Sequence, residues 1–129
     1  EDGKQQRDFV HVADIANAFL TALESDAAVW DAFNIGSGKP VTIAQMAATL
    51  GKFLDKDIEP EFLGRYRVGD IRHCFPDITK AEGTFGWRPQ RSFDDGMQEL
   101  IGWVSAAKAP PVDRSGASLA ELETNKLLV

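Results

Sequence analysis

The sequence has few of the residues on which several kinds of site depend. Its 129 residues include one cysteine, Cys74, and two histidines, His11 and His73. A single cysteine excludes an internal disulfide, and these few candidate ligands show none of the spacings of a zinc site. The chain also lacks any run of about 18 apolar residues, so no segment is predicted to span a membrane.

Basic residues are outnumbered, with 14 Lys and Arg against 20 Asp and Glu, and the formal net charge is -6. This acidic balance argues against a nucleic-acid-binding protein, which normally has a basic domain. Hydrophobic residues make up 43% of the chain, a value typical of globular proteins. Because the first residues do not form a signal peptide, we predict a globular, cytoplasmic domain with no nucleic-acid or membrane partner.

One cationic stretch stands out against this acidic background. Residues 65–74 contain three arginines and one histidine, and Asp70 is the only acid among them. Arginine presents a planar fork of N–H donors that fits phosphate oxygens. Gly69 lets the backbone turn, so that side chains from both arms can converge. We interpret the stretch as a site for an anionic, phosphorylated small molecule; the alternative is a solvated charged loop.

Local signals predict four helices and a short last helix near Leu119. The first helix covers residues 14–25 and carries a full apolar stripe, and the third ends at Gly86. The second and the fourth each begin with two capping residues spaced three apart. The predicted N-caps, in chain order, are Asp14, Thr42, Asp77 and Ser92.

Strand character is confined to three short segments, at 9–12, 32–35 and 58–62, the last an edge because it contains Pro60. His11 lies between two valines, and we interpret it as a hydrogen-bonded structural residue within the first strand. Cys74, which precedes Phe75, is interpreted as a packed side chain. Residues 106–115 have the composition of a linker.

The segment Gly36-Ser37-Gly38-Lys39 imitates two phosphate-binding motifs. A Walker loop needs glycine at position 33 and Ser or Thr at position 40, which are Phe33 and Pro40. A dinucleotide-binding fingerprint needs glycine at position 41, which is Val41. We therefore predict a tight strand-to-helix turn that binds no phosphate.

The N-terminal residues give two further expectations. Asp2-Gly3 is a hairpin signal, but only Glu1 precedes it and no initiator methionine is present. We expect a piece of a longer protein, the alternative being a frayed terminus. Arg7 is the second basic site. It forms either a surface pair with Asp8 or a second arm on the phosphate held by Arg67, and two converging arginines would make a pyrophosphate clamp.

An ordered series of motifs over about residues 1–105 resembles the C-terminal part of the extended short-chain dehydrogenase/reductases, the NAD-dependent epimerase/dehydratase family. Each motif is weak alone, but their order and spacing are specific. The motif at residues 69–73 favours the nucleotide-sugar 4-epimerases of the UDP-glucose and dTDP-rhamnose kind. The main motifs are Arg7-Asp8-Phe9-Val10-His11-Val12, Phe33-Asn34-Ile35-Gly36-Ser37-Gly38, Gly69-Asp70-Ile71-Arg72-His73 and Phe85-Gly86-Trp87-Arg88-Pro89.

The resemblance implies an α/β fold with a few short strands and four to five helices, in which residues 1–105 bind a nucleotide diphosphate sugar. Residues 106–129 would be a linker and a short C-terminal helix. By resemblance, Arg7 and Arg67 would contact the diphosphate and Asp70 the ribose hydroxyls. His73 and Arg72 are further candidate substrate contacts. The implied reaction is transient oxidation at sugar C4 and return of hydride to the other face, with chemistry carried by NAD.

The resemblance assigns no catalytic, cofactor-binding or metal-binding residue to this chain. The glycine-rich NAD loop and the Tyr-x-x-x-Lys pair are not in the sequence, so we expect NAD to bind a missing Rossmann domain and the chain alone not to catalyse. The whole enzyme is expected to be a homodimer. Freed from the Rossmann sheet, helix 14–25 and strand 32–35 would expose apolar surface, and the isolated chain is expected to self-associate.

Three alternatives stay open. The chain could be the same part of a dehydratase or a reductase, a stand-alone module that binds nucleotide sugars without turnover, or an interaction domain. Two positions depart from the family pattern. Ala13 stands where an acid is common, and Cys74 stands where the hexose epimerases often have a bulky aromatic residue. The second departure leaves the base and the sugar open.

Overall fold

Five α-helices and three very short strands make up most of the regular structure in residues 1–107 and 114–128, which the computed structural model describes. One 3-10 turn, Asp26–Ala28, follows the first helix. The helices are α1 Val12–Leu23, α2 Ile43–Phe53, α3 Thr79–Phe85, α4 Phe93–Ala106 and α5 Ser115–Thr124. The strands are β1 Gln6–Arg7, β2 Val41–Thr42 and β3 His73–Cys74. The predicted α/β class and helix number are confirmed.

The sheet has the order β2-β1-β3, with β1 in the centre. β1 runs antiparallel to β2 and parallel to β3, so that Arg7 has Val41 as its partner on one side and Cys74 on the other. Each strand has only two residues. The sheet therefore serves mainly to join three distant parts of the chain, and it fixes the end of the cationic stretch beside Arg7.

Helix starts follow the predicted capping residues at α2 and α4. The Thr42 side chain accepts the N–H of Gln45 at 3.1 Å, and the Ser92 side chain accepts the N–H of Asp95 at 3.1 Å. Both are complete capping boxes, since the residue at the third helical position also bonds back to the cap backbone. These hydrogen bonds fix where α2 and α4 begin.

The short helix α3 also begins and ends as predicted. Asp77 Oδ1 accepts the N–H of Thr79 at 2.9 Å. Hydrogen bonds from Thr79 hold the pKa of Asp77 below its ordinary value. Gly86 ends the helix in the left-handed region, at φ +72°. Although the formal cap position is Ile78, the Asp77 carboxylate does the capping.

The prediction of a strand at 9–12 is wrong, because α1 already starts at Val12. His11 is the N-cap residue, and its Nδ1 accepts the N–H of Ala13 at 3.1 Å. Its Nε2 lies 3.2 Å from Glu99 Oε2. His11 is thus a hydrogen-bonded structural residue, as predicted, but at a helix start. Phe9, Val10 and Val12 are too few apolar residues to distinguish a strand from the start of a helix.

Asp14 was predicted to cap α1, and this is also wrong. It lies in the first turn of the helix, is 3% exposed, and accepts the N–H groups of Gln90 and Arg91, both at 3.1 Å. These partners stand 76 and 77 residues further along the chain. The carboxylate therefore ties α1 to the turn before α4, a role that no local pattern could reveal.

The segments at 32–35 and 58–62 were predicted to be strands, and neither is one in the structure. Phe33 and Ile35 do pack against the core, but no described segment pairs with their backbone. Residues 58–62 are exposed throughout. A strand requires a neighbour that takes up its backbone hydrogen bonds, and apolar composition alone does not provide one.

The core is small and centres on Trp87, which is 2% exposed. Ala18 and Ala81 are buried beside it. The ring of Phe33 meets Phe85 edge-on at a centroid distance of 5.0 Å. Much of the α1 and α4 surface is left open, so the predicted stripe of α1 is only partly buried. Large apolar side chains exposed there or nearby are Phe19, Leu20, Leu23, Trp30, Leu100 and Trp103.

The C-terminal region agrees with the sequence where it can be compared. The predicted last helix is present as α5. The predicted linker at 106–115 falls mostly on residues 108–113, which lie outside the described part of the chain. Among the described residues, no helix combines the length and the apolar character needed to cross a membrane.

Candidate functional site

The cationic stretch forms an exposed loop, which we call the arginine loop and define as residues 64–72. Its tip is a tight turn in which the N–H of Asp70 donates to the carbonyl of Arg67 at 3.0 Å. Gly69, at the third position of this turn, has φ +81°, which the third position of a type II turn requires. The predicted glycine turn is thus present, and it places Arg67 and Asp70 at its two ends.

Arg7 reaches this turn from the central strand. Its Nη2 lies 3.0 Å from Asp70 Oδ1, and its Nη1 donates to the carbonyls of Gln6 at 2.9 Å and Arg72 at 3.1 Å. The side chains of Arg7 and Asp70 are 27% and 37% exposed. Two of the three predicted site residues, 63 positions apart, are therefore in direct contact. The alternative pairing of Arg7 with Asp8 does not form.

Asp8 instead binds the turn at Gly36-Ser37-Gly38. Its Oδ1 accepts the N–H of Ser37 at 2.7 Å, and its Oδ2 accepts the N–H of Gly38 at 2.9 Å and the Ser37 hydroxyl at 3.1 Å. Gly36 packs closely, since a Cβ there would lie 2.3 Å from Pro76 Cγ. The carboxylate thus occupies the donors that a phosphate would need. Sequence reasoning missed this role, because the partners are 29 and 30 residues away.

Acids neutralise two of the three arginines of the loop. Arg72 Nη2 lies 2.7 Å from Asp2 Oδ2, and Arg65 Nη2 lies 2.6 Å from Glu123 Oε1. The hydrogen bond from Arg72 lowers the pKa of Asp2 to about 2. The Arg67 side chain is exposed and has no ion pair or hydrogen bond with any described residue. Arg67 is therefore the arginine of this loop that remains open to an external anion.

The two remaining candidates lie on β3 at the edge of the sheet. His73 is exposed and pairs through its backbone with Gln6. Cys74 is exposed as well, so its interpretation as a packed side chain is wrong. β3 is an edge strand, and no other described strand pairs with its outer side. The structure thus places His73 near the cluster through the backbone, while the described residues give its side chain no partner there.

A surface cavity of about 360 Å³ adjoins the loop. Small-molecule sites commonly have volumes of about 300–1,000 Å³, so the space is of a suitable size for part of a nucleotide. Three of the residues that line it are acids and one is an arginine, beside one aromatic ring and one glycine. The lining residues are Glu1, Asp2, Gly64, Tyr66, Asp70 and Arg72.

The described residues form no metal centre, and the glycine-rich turn at 36–38 forms no dinucleotide cradle. They contain no group of three or more His, Cys, Asp or Glu side chains that could hold a metal ion. The glycine-rich turn at 36–38 offers N–H donors of the kind that bind a pyrophosphate, but Asp8 already takes up those of Ser37 and Gly38. This turn therefore does not fit the pyrophosphate of NAD.

Comparison with known proteins gives a consistent result. A family model described as GDP-mannose 4,6 dehydratase matches residues 1–100. The dTDP-L-rhamnose 4-epimerase of Burkholderia thailandensis is 35% identical over 105 residues, which are 81% of this chain and 29% of that protein.

Two solved structures are similar in fold as well as in sequence. UDP-glucose 4-epimerase from Thermotoga maritima with UDP-glucose matches with a TM-score of 0.74 and 33% identity, over 81% of this chain and 33% of that chain. A variant of UDP-glucuronic acid 4-epimerase from Bacillus cereus, in complex with NAD and UDP-4-deoxy-4-fluoro-glucuronic acid, matches with a TM-score of 0.72 and 27% identity, over 81% and 33% of the two chains. This chain thus spans about a third of the length of the proteins it matches.

Proposed function

We propose, from the premise that this chain belongs to the NAD-dependent epimerase/dehydratase family of extended short-chain dehydrogenase/reductases, that it is the nucleotide-sugar-binding part of a 4-epimerase acting on a UDP- or dTDP-hexose. Residues 1–105 form that part. The similarity to a dTDP-L-rhamnose 4-epimerase and a UDP-glucose 4-epimerase supports the reaction.

The observation that carries the proposal is the contact between Arg7 and Asp70. These residues come from motifs separated by 63 positions, and the structure joins them at 3.0 Å. Arg67 stands at the other end of the same tight turn. The resemblance assigns these three residues to one ligand. Two of them are in contact and the third is joined to Asp70 through the turn, which supports a shared role in binding the diphosphate and the ribose.

Arg7 keeps donors for an anion after its contacts within the chain. A guanidinium has five N–H groups, and the two on Nη1 serve the carbonyls of Gln6 and Arg72 while one on Nη2 serves Asp70. The second Nη2 hydrogen and the Nε hydrogen have no partner among the described residues. Because its other bonds hold the guanidinium in place, little side-chain entropy is lost when phosphate oxygens bind there.

Asp70 supplies the acceptor. Its Oδ1 binds Arg7, whereas its Oδ2 has no hydrogen-bond partner within the described part of the chain. A ribose hydroxyl can donate to that second oxygen, and a charged acceptor makes the bond stronger than a neutral one would. Between Arg7, Arg67 and Asp70 the two positive charges exceed the single negative charge, and Asp2 pairs with Arg72 instead.

Polypeptide outside this chain would hold NAD and provide the proton-transfer groups, because the donors of the glycine-rich turn at 36–38 are taken up by Asp8. The same polypeptide would cover the open apolar surface on α1 and α4. Phe19, Leu23 and Trp103 are 68%, 83% and 70% exposed, and Trp30 is fully exposed. Exposed apolar area of this kind marks interaction surfaces. The chain by itself would bind the nucleotide sugar without turnover.

A dehydratase is the second candidate, because the matching family model is described as GDP-mannose 4,6 dehydratase. It would use the same cluster for the nucleotide diphosphate. Incubating the full-length protein with UDP-glucose and NAD separates the two reactions. An epimerase gives UDP-galactose, whereas a dehydratase releases water and gives a 4-keto-6-deoxy sugar.

Isothermal titration of the full-length protein with UDP and dTDP tests the binding site. Arg67→Ala should weaken binding of the nucleotide sugar and raise its KM. The increase should correspond to a free-energy loss of about 1.5–3 kcal/mol, the value of a hydrogen bond to a charged group. Arg88→Ala is the matched control, because Arg88 is exposed and its nearest acid, Glu82, is 3.8 Å away. Equal affinities and equal KM values for wild type, Arg67→Ala and Arg88→Ala would show that Arg67 does not bind the diphosphate.

A further inference from the structure

The C-terminal tail, residues 114–128, folds back on itself. Helix α5 ends at Thr124, and Lys126 then adopts φ +55°, in the left-handed region. The N–H of Leu127 donates to the carbonyl of Leu122 at 2.8 Å, which closes the reversal. The last described residues, Leu127 and Leu128, therefore leave the helix in a new direction and run along another part of the molecule.

That other part is the arginine loop. The N–H of Val68 donates to the carbonyl of Leu127 at 2.9 Å, and Arg67 forms an antiparallel β-bridge with Leu128. The tail thus makes backbone contacts to Arg67, whose side chain is open to an external anion, and to Val68. At positions 67 and 68 the main chain of the exposed loop therefore pairs with the tail.

Two side-chain contacts reinforce the backbone pairing. Glu123 Oε1 lies 2.6 Å from Arg65 Nη2, so one arginine of the loop is held by the tail. Leu119 and Leu128 line a cavity of about 260 Å³ together with Phe62 and Leu63, which precede the loop. Ionic and backbone contacts therefore join the tail to residues 65–68, and a shared cavity lies between the tail and residues 62–63.

We propose that the tail is a brace that positions Arg67 for the nucleotide diphosphate. This inference rests on the proposed function and deepens it by assigning a role to residues that the family match, which covers residues 1–100, does not include. Arg67 is a ligand-binding residue in this account. Glu123 and the 127–128 segment are positioning elements, since they act through the loop and not on the ligand.

The physical reason is preorganisation. The arginine loop is exposed at every residue from 64 to 72. Apart from the tail, it is held near its ends by Glu1, Asp2 and Arg7 and at its tip by the turn at Gly69. Binding to a loosely held arginine costs the entropy of ordering its backbone and side chain. The tail orders the backbone at positions 67 and 68 beforehand. It also removes Arg65 as a competing cation, so that the anion meets Arg67.

The test compares the full-length protein with a version that stops before Arg114. Backbone ordering is read by hydrogen exchange at the Val68 amide without ligand, and binding is read from the dissociation constant for UDP and from KM and kcat. Truncation should make Val68 exchange fast. It should raise the dissociation constant and KM by about fivefold, the value expected for losing the prior ordering of one side chain and its backbone, while kcat changes little.

Milder variants cover the case in which the truncated protein does not fold. Glu123→Gln should raise the dissociation constant for UDP by about twofold, the effect of one exposed ion pair. Glu121→Gln is the matched control on the same helix, because no described residue forms an ion pair with Glu121. The double exchange of Arg65→Glu with Glu123→Arg should restore the wild-type value, because the ion pair forms again with its charges exchanged; a loss that persists would contradict the pairing.

The outcomes separate this inference from the proposed function. If wild type does not bind UDP, the proposed function fails, and Val68 exchange still tests the brace. If wild type binds UDP and truncation leaves both Val68 exchange and the dissociation constant unchanged, the brace is wrong. If truncation tightens UDP binding, the tail obstructs the site, and the positioning role is overturned.

Discussion

Asp14 provides a test of how α1 is held to the turn before α4. It is 3% exposed and accepts two backbone N–H groups, those of Gln90 and Arg91, each at 3.1 Å. Replacing it with alanine removes both acceptors and leaves two partly buried N–H donors without a partner. Because these donors belong to the turn before α4, their loss would detach that turn from α1.

The expected cost follows from the two donors. A buried polar group that loses its partner costs about 1–3 kcal/mol. If water re-solvates part of the site, Asp14→Ala should lower the free energy of unfolding by about 2–4 kcal/mol. Asp14→Asn keeps one acceptor but turns an amide group toward the second donor, so its cost should be about 1–2 kcal/mol. Either value is large for a domain whose total stability is about 5–15 kcal/mol.

Urea unfolding followed by circular dichroism gives these free energies. Asp57→Ala is the control, because Asp57 is exposed and has no side-chain bond among the described residues, and it should stay within about 0.5 kcal/mol of wild type. The order of stability should be Asp57→Ala, then Asp14→Asn, then Asp14→Ala. An Asp14→Ala protein as stable as the Asp57→Ala control would refute the assignment of Asp14 as the link between α1 and the turn before α4.

Three further predictions concern single positions. Gly36→Ala places a Cβ 2.3 Å from a proline ring and should cost about 1–3 kcal/mol in urea unfolding; Gly83→Ala, which meets nothing within 4 Å in α3, should be neutral or stabilising. Ser92→Ala removes the N-cap of α4 and should cost about 1 kcal/mol in the same assay, and no loss would mean that the cap is not formed. Arg72→Gln should raise the pKa of Asp2 from about 2 toward its ordinary 3.8, as followed by NMR titration. Because the folded pKa is depressed, this pair stabilises the fold above pH 3.8 and its contribution is lost as the pH falls through about 2; a titration unaltered by Arg72→Gln would contradict the pairing.

Local rules predicted those parts of the fold that depend on near neighbours in the sequence. The capping boxes at Thr42 and Ser92, the stop of α3 at Gly86 and the turn at Gly69 each need only three or four consecutive residues. Their outcome is decided within one turn of backbone, which is why the sequence is informative there. The motifs of the arginine loop likewise pointed to the cluster that the structure forms.

Long-range partners were beyond those rules. Asp8 and Asp14 bind N–H groups that are 29 to 77 residues away, and nothing in the adjacent sequence distinguishes them from surface acids or caps. The strand predicted at 32–35 failed for a related reason, since a strand depends on a neighbour that the described chain does not provide. The pairing of the tail with Arg67 and Val68 is also long-range, and it required the structure.

The most direct test of the central claim is a crystal structure of the full-length protein with UDP-glucose. Diphosphate oxygens should lie within about 3.2 Å of the guanidinium groups of both Arg7 and Arg67, and a ribose hydroxyl should donate to Asp70. UDP-glucose bound elsewhere, with both guanidinium groups free of phosphate, would contradict the assignment of this cluster as the nucleotide-sugar site.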